Sequence, residues 1–139
     1  MLLLDTHAWL WTVGGESRRV GRRALRLIAR AESRGAARVS AASVFEIVAL
    51  HTAGRVRLAE PPEQWIETSL DRSGIRIAEV TREVAADAGF IPPTALPDPI
   101  DRLLAATARQ LDATFLTADA AVLSYAARTG NVRVHDLSR

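Results

Sequence analysis

The chain has 139 residues, 48% of them hydrophobic and 24% charged, which is enough to bury a core and argues against disorder. It has no cysteine, and all 18 basic residues are arginine, which excludes disulfides, thiol catalysis, cysteine-bound zinc, Schiff-base chemistry and any lysine-bearing phosphate loop. The formal charge of +2 is too mild to imply a nucleic-acid partner by itself.

No apolar run approaches the roughly 20 residues that a bilayer requires, and the opening MLLLDTHAWLW carries no basic n-region. A cytoplasmic protein without a membrane segment is the expectation. The run MLLL at 1–4 reads as a buried strand, and HAWLWTVGG as a short helix closed by glycines. From Ser17 to Gly35 a helical period places Val20, Ala24, Leu27, Ile28 and Ala31 on one stripe and arginines on the other side. ARVSA at 37–41 predicts a strand, and SVFEIVALHTAG from Ser43 to Gly54 a helix with a glycine stop. PPEQWIETSLDRSG predicts a further helix, IRIAEV at 75–80 a strand, and TREVAADAGF at 81–90 a helix capped by its threonine. After the stiff loop IPPTALP come a helix over 99–111, the strand ATFLT, the helix ADAAVLSYAARTG and a last strand, VRVHD. No repeat or linker interrupts this series, so residues 1–139 are expected to form one domain, an α/β sandwich around a mainly parallel sheet.

In such sheets ligands gather beyond the carboxyl ends of the strands. Asp5 follows the first predicted strand, and Asp119 lies two residues past ATFLT, so both are expected on one edge. In LPDPIDRLLAATA, Asp98 fits an N-cap, Pro99 the first helical position, and Asp101 the acidic position of a capping box. Glu46 interrupts the apolar helix ASVFEIVAL three residues after Ser43, where Phe45, Ile47, Val48 and Leu50 leave little polar face. Each acid has an ordinary structural role available, as a cap or a solvated side chain. Convergence of several acids instead carries an electrostatic cost, since crowded carboxylates repel and raise one another's pKa unless a cation compensates. No lysine exists to do so, and Arg102 is a candidate neighbour. A hard divalent ion, Mg²⁺ or Mn²⁺, suits oxygen-only ligands and would activate water for displacement at a phosphodiester.

The order of these acids resembles the PIN-domain family, and within it the VapC-type toxin ribonucleases of type II toxin–antitoxin pairs. The likeness is carried by LLLDTHAWLW, VSAASVFEIVALHTAGRVRL, DPIDRLLAATA and FLTAD, in that order and over essentially the whole chain. The resemblance implies a PIN-like three-layer α/β/α sandwich and an acidic quartet of Asp5, Glu46, Asp101 and Asp119 holding Mg²⁺ or Mn²⁺. Asp101 matches better than Asp98 because it precedes RLLAATA; Asp98 is then auxiliary, with Thr6, Ser43 and Thr117 as supporting polar positions. The activity implied is endonucleolytic hydrolysis of RNA leaving a 5′-phosphate and a 3′-hydroxyl. The partners implied are a second copy of the chain, as a homodimer, and a cognate antitoxin whose tail covers the acidic pocket. Two departures concern subfamily and substrate choice: Leu96 stands where many such toxins have histidine, and ATA at 106–108 replaces a glutamine-containing AQA.

The arginine face at 18–38 reads as a solvated face, with RNA contact as the alternative; Trp9, Trp11 and Trp65 read as packing residues. His7, His51 and His135 show no ligand spacing and are assigned to no metal. A phosphoacceptor receiver domain and an aspartyl phosphatase are both disfavoured by the missing lysine. A PIN-like module that only binds RNA or protein is disfavoured by the intact quartet. A PIN nuclease of RNA processing, outside any toxin pair, remains the alternative.

Overall fold

Three consecutive leucines make a strand that can be buried on both faces, and this strand is the centre of the molecule. The computed structural model describes residues 1–139. In chain order its elements are β1 (Leu2–Leu4), α1 (Thr6–Val13), a 3-10 turn (Ser17–Arg19), α2 (Arg22–Ser33), β2 (Ala37–Ser40), α3 (Ala41–Thr52), α4 (Pro62–Ser73), β3 (Arg76–Ala78), α5 (Arg82–Phe90), α6 (Pro99–Gln110), β4 (Thr114–Thr117), α7 (Ala120–Thr129) and β5 (Val134–Asp136). The five strands form one sheet in the order β3-β2-β1-β4-β5, with every neighbouring pair parallel. The order turns back at β1 and β4, so the crevice rule for parallel sheets points to their carboxyl ends.

Alternation along β1 divides the interior. Leu2 and Leu4 join a core with Trp9 of α1, Ile28 of α2, Ile47 of α3 and Trp65 of α4. Leu3 faces the other way, with Phe115 of β4, Leu104 of α6 and Val122 of α7. Helix α5 closes the second side by packing Val84 and Ala88 against Ala106 of α6. The result is a three-layer α/β/α sandwich.

Several boundaries differ from the sequence reading, among them the strand expected over 75–80, which is Arg76–Ala78. The helix expected from Ser17 to Gly35 breaks at Gly21, whose N–H donates to the Leu137 carbonyl at 2.9 Å. A Cβ at Gly21 would lie 2.1 Å from the Arg139 backbone, so the chain's end clamps this residue and only glycine fits. Helix α3 begins at Ala41, ahead of the expected Ser43, because Ser40 is the cap and its hydroxyl accepts from the Ala42 N–H at 3.0 Å. The last strand covers only Val134–Asp136, while Val132 is buried ahead of it.

Candidate metal centre

Register delivers the first two acids. Leu4 pairs with Leu116, so Asp5 and Thr117 leave the sheet side by side, and the Asp5 N–H donates to the Leu116 carbonyl at 2.9 Å. The Thr117 hydroxyl donates to Asp5 Oδ2 at 2.6 Å and accepts from the Asp119 N–H at 3.0 Å. One buried threonine thus ties together two acids more than a hundred positions apart in sequence. Asp5 Oδ1 accepts from the Thr6 N–H at 2.7 Å, and the Thr6 hydroxyl donates to Ser43 Oγ at 3.0 Å, linking α1 to α3. Starting α3 at Ser40 leaves the Ser43 hydroxyl free for this bond and puts Glu46 one helical turn further along.

Capping and convergence are the same event here. Asp5, Asp98 and Asp119 are the N-caps of α1, α6 and α7, with side-chain bonds to Thr6, Ile100 and Val122. Yet all three, with Glu46 and Asp101, line one cleft of about 340 Å³. Every sequence-predicted acid is therefore brought to this place, while Thr6, Ser43 and Thr117 lie buried beneath it.

No arginine lines the cleft. Burial, followed by the charges of Asp119, Asp98, Asp5 and Glu46, pushes the Asp101 carboxyl up to about 8. Asp5 is also raised, chiefly by burial and further by Glu46, against the lowering effects of the Thr117 hydroxyl, the Thr6 N–H and His7. The ion pairs of the molecule join Arg19 to Glu16, Arg82 to Glu83, Arg109 to Asp87 and Arg133 to Asp112, and none reaches the cleft acids. Arg102, the candidate cation in the sequence reading, instead donates through Nη2 to the Pro97 carbonyl at 3.4 Å. Its neighbour position in the chain does not make it a counter-charge.

Five oxygen-bearing acids suit a hard divalent cation. No three acidic or histidine side chains form a ready-made ligand cluster, so the fit lies in donor chemistry and charge rather than in a closed cage. Two lining residues were missed by the sequence reading. His7 and Trp11 stand four apart on one face of α1, with ring centroids 5.6 Å apart, and both border the acids. Their spacing from Asp5 was a usable signal once Asp5 was recognised as a cap. Phe45, read as part of an apolar helix face, is 66% exposed beside Glu46, so α3 has more open surface than its composition suggests.

The family model for the PIN domain matches residues 2–128. Ribonuclease VapC22 of Mycobacterium tuberculosis (strain ATCC 25618 / H37Rv) is 34% identical over 107 residues, covering 77% of this chain and 78% of the relative. Among solved structures, a chain of VapBC2 from Rickettsia felis, bound to a DNA fragment from their promoter, aligns over 97% of both chains with a TM-score of 0.66 and 16% identity. A chain of FitAB bound to an IR36 DNA fragment aligns over 100% of this chain and 96% of its own, with a TM-score of 0.58 and 24% identity. These two structures share the fold seen here. With the family model spanning nearly the whole chain and a VapC ribonuclease similar over most of it, this chain belongs to the PIN-domain family.

Proposed function

We propose that the protein is a metal-dependent endoribonuclease, hydrolysing RNA phosphodiester bonds, and that it is the toxin of a type II toxin–antitoxin pair. The observation that carries this reading is the meeting of acids from four separate segments of the chain in one cleft that has no internal cation. Asp5, Glu46, Asp101 and Asp119 are the residues that would hold Mg²⁺ or Mn²⁺, with Asp98 auxiliary at the rim. When bound, the ion supplies positive charge for the reacting phosphate and lowers the pKa of water.

The chain's own residues prepare the site in distinct ways. Thr117 fixes the Asp5 carboxylate through Oδ2, and the Thr6 N–H fixes it through Oδ1, so Asp5 is presented in one orientation. The N-termini of α1, α6 and α7 end at the cleft, and their positive ends partly offset the crowded acids. Asp101 keeps a proton at neutral pH when no cation is present, and gives it up when positive charge enters. RNA as the substrate is supported by the likeness to a protein named as a ribonuclease. A cognate antitoxin and a homodimer are supported by the resemblance to VapC-type toxins.

The test is cleavage of RNA by the purified protein, free of any partner. Cleavage with Mg²⁺ or Mn²⁺ that stops on chelation, and that Asp5→Asn removes, supports the reading. Cleavage that survives chelation, or that Asp5→Asn leaves intact, contradicts it. For the toxin role, growth arrest on expression, relieved by co-expressing the neighbouring antitoxin gene, is the expected result; unaffected growth would return the protein to RNA processing.

A further inference from the structure

Beside the acidic cleft lies a second cavity of about 380 Å³, and the two share His7 and Trp11 as a common wall. Its charge is the opposite. Arg19, Arg55 and Arg57 line it, and its one carboxylate, Glu16, is already engaged with Arg19 at 3.1 Å. The Arg19 guanidinium sits 4.0 Å from the centre of the Trp11 ring, so this arginine is pinned by both an ion pair and a cation–π contact.

The sequence shows how Arg55 and Arg57 reach the same place. Helix α3 ends in a turn in which Gly54 adopts a φ of 73° and the Arg55 N–H donates to the Leu50 carbonyl at 2.9 Å. In the irregular run that follows, Val56 and Leu58 pack against the larger core, and the alternate residues Arg55 and Arg57 are exposed and without ion pairs. Two apolar anchors therefore hold two free guanidinium groups at the cavity's mouth.

A polyanion entering the acidic cleft meets repulsion at every phosphate except one compensated by a cation. Its neighbouring phosphates need positive support about one nucleotide away. Arginine next to an aromatic ring is the combination that holds an unpaired nucleotide, by its phosphate and by the face of its base. We propose that this cavity is the subsite for the nucleotide adjoining the scissile phosphate, with its base against His7 and the Arg19 guanidinium that stacks on Trp11, and its phosphate on Arg55 and Arg57. The assignment rests on the RNA-cleaving reading above and requires the adjoining nucleotide to be unpaired, because a base held in a duplex cannot reach the wall.

The test is binding of a labelled single-stranded RNA oligonucleotide to the full-length Asp101→Asn protein, run beside cleavage by the unsubstituted protein with Mn²⁺. The double variant Arg55→Ala/Arg57→Ala should weaken binding by roughly tenfold or more and reduce the slope of log K against log salt by about 1.4, the value for two single-strand phosphate contacts. In the active protein the same pair should raise KM and leave kcat within about twofold, as expected for uniform binding. Trp11→Ala should weaken binding, Trp11→Phe should restore it, and an RNA duplex of the same sequence should compete poorly. Unchanged affinity and salt slope in the arginine variant overturn the proposal, including the case in which those variants instead weaken a protein partner. Equal competition by the duplex also overturns it, since the arginines would then only follow the backbone. Intact cleavage with normal binding by the arginine variant removes the subsite and leaves the nuclease reading. Absent cleavage with the predicted binding pattern keeps the cavity as an RNA-binding site and removes both the nuclease reading and the cavity's place beside a scissile phosphate.

Discussion

The two edges of the sheet carry opposite charge, but only one of them is crowded. At the carboxyl edge, five acids line a cleft in which Asp101 is held up at about 8. At the amino edge, Arg23 and Arg30 of α2 and Arg34 just past its end line a hollow of about 410 Å³ with Met1, Leu2 and Thr114. These arginines are exposed and make no ion pair. Helix dipoles favour the acids at the carboxyl edge and account for only part of the arginine placement at the other, since Arg23 lies in the first turn of α2. Acids cap the N-termini of α1, α6 and α7, and Arg30, Arg72, Arg109 and Arg128 sit in the last turns of α2, α4, α6 and α7. Dipoles do not account for burial. Solvent screens the separated arginines, whereas Asp5 is buried and Asp101 half-buried, so burial, with neighbouring acids adding to it, raises both carboxyls. In the function proposed above, a divalent ion would offset the excess charge at the carboxyl edge.

The contrast breaks most visibly at Asp101. Asp101→Asn should lower RNA cleavage by roughly 10²–10³-fold or more, the scale of losing a principal charge in a catalytic site. The same variant should make the metal-free protein more stable above neutral pH, because it removes a repelled charge. A rise in Tm under chelation would register it, and an unchanged Tm would mean that the acids do not crowd one another. Next comes Thr117→Val, which deletes the bond that orients Asp5. It should weaken Mn²⁺ affinity by about 10–100-fold, as losses of such supporting partners do. Titration of Mn²⁺ with the variant would check it.

The pH dependence follows from the same crowding. Asp101 loses its proton near its ordinary value of 3.8 when unfolded and only at about 8 when folded and metal-free. Between those values the unfolded chain binds fewer protons, so stability is full below the lower value, falls as pH rises, and is lost by the upper one. The raised Asp5 acts in the same direction. Thermal melts under chelation should therefore show Tm declining from about pH 5 to about pH 8.5, and saturating Mn²⁺ should flatten the decline by ionising Asp101 in the folded state. The smallest effect belongs to the amino edge. Replacing Arg23, Arg30 and Arg34 each by Ala should change stability by no more than about 0.5 kcal/mol and leave cleavage intact. A loss of activity there would mean that the two edges are functionally coupled.

Much of this contrast is legible in the sequence, because parallel strands announce themselves as short apolar runs and their carboxyl ends share an edge. MLLL and ATFLT put Asp5 and Asp119 on the same edge. What local pattern concealed was the non-local part. Gly21 breaks a helix because the far end of the chain packs onto it, and α3 takes its cap from Ser40, which frees Ser43 to bond Thr6. Arg102 looked like a counter-charge by its position and turns to Pro97 instead. The choice between cap and site was itself misleading, since a cap at a strand's carboxyl end already faces the crevice. His7 was passed over for lack of histidine spacing, although its place two residues after a capping aspartate puts it on the rim.

The most direct test is calorimetric titration of Mn²⁺ into chelator-stripped protein near pH 7, repeated in buffers of different ionisation enthalpy to count the protons released. With Asp101 still protonated under those conditions and the Asp5 carboxyl also raised, binding should release protons, and Asp101→Asn should lower the count by close to one per chain. Absence of binding, or a proton count that the substitution does not change, would contradict the claim that a cation holds these acids together.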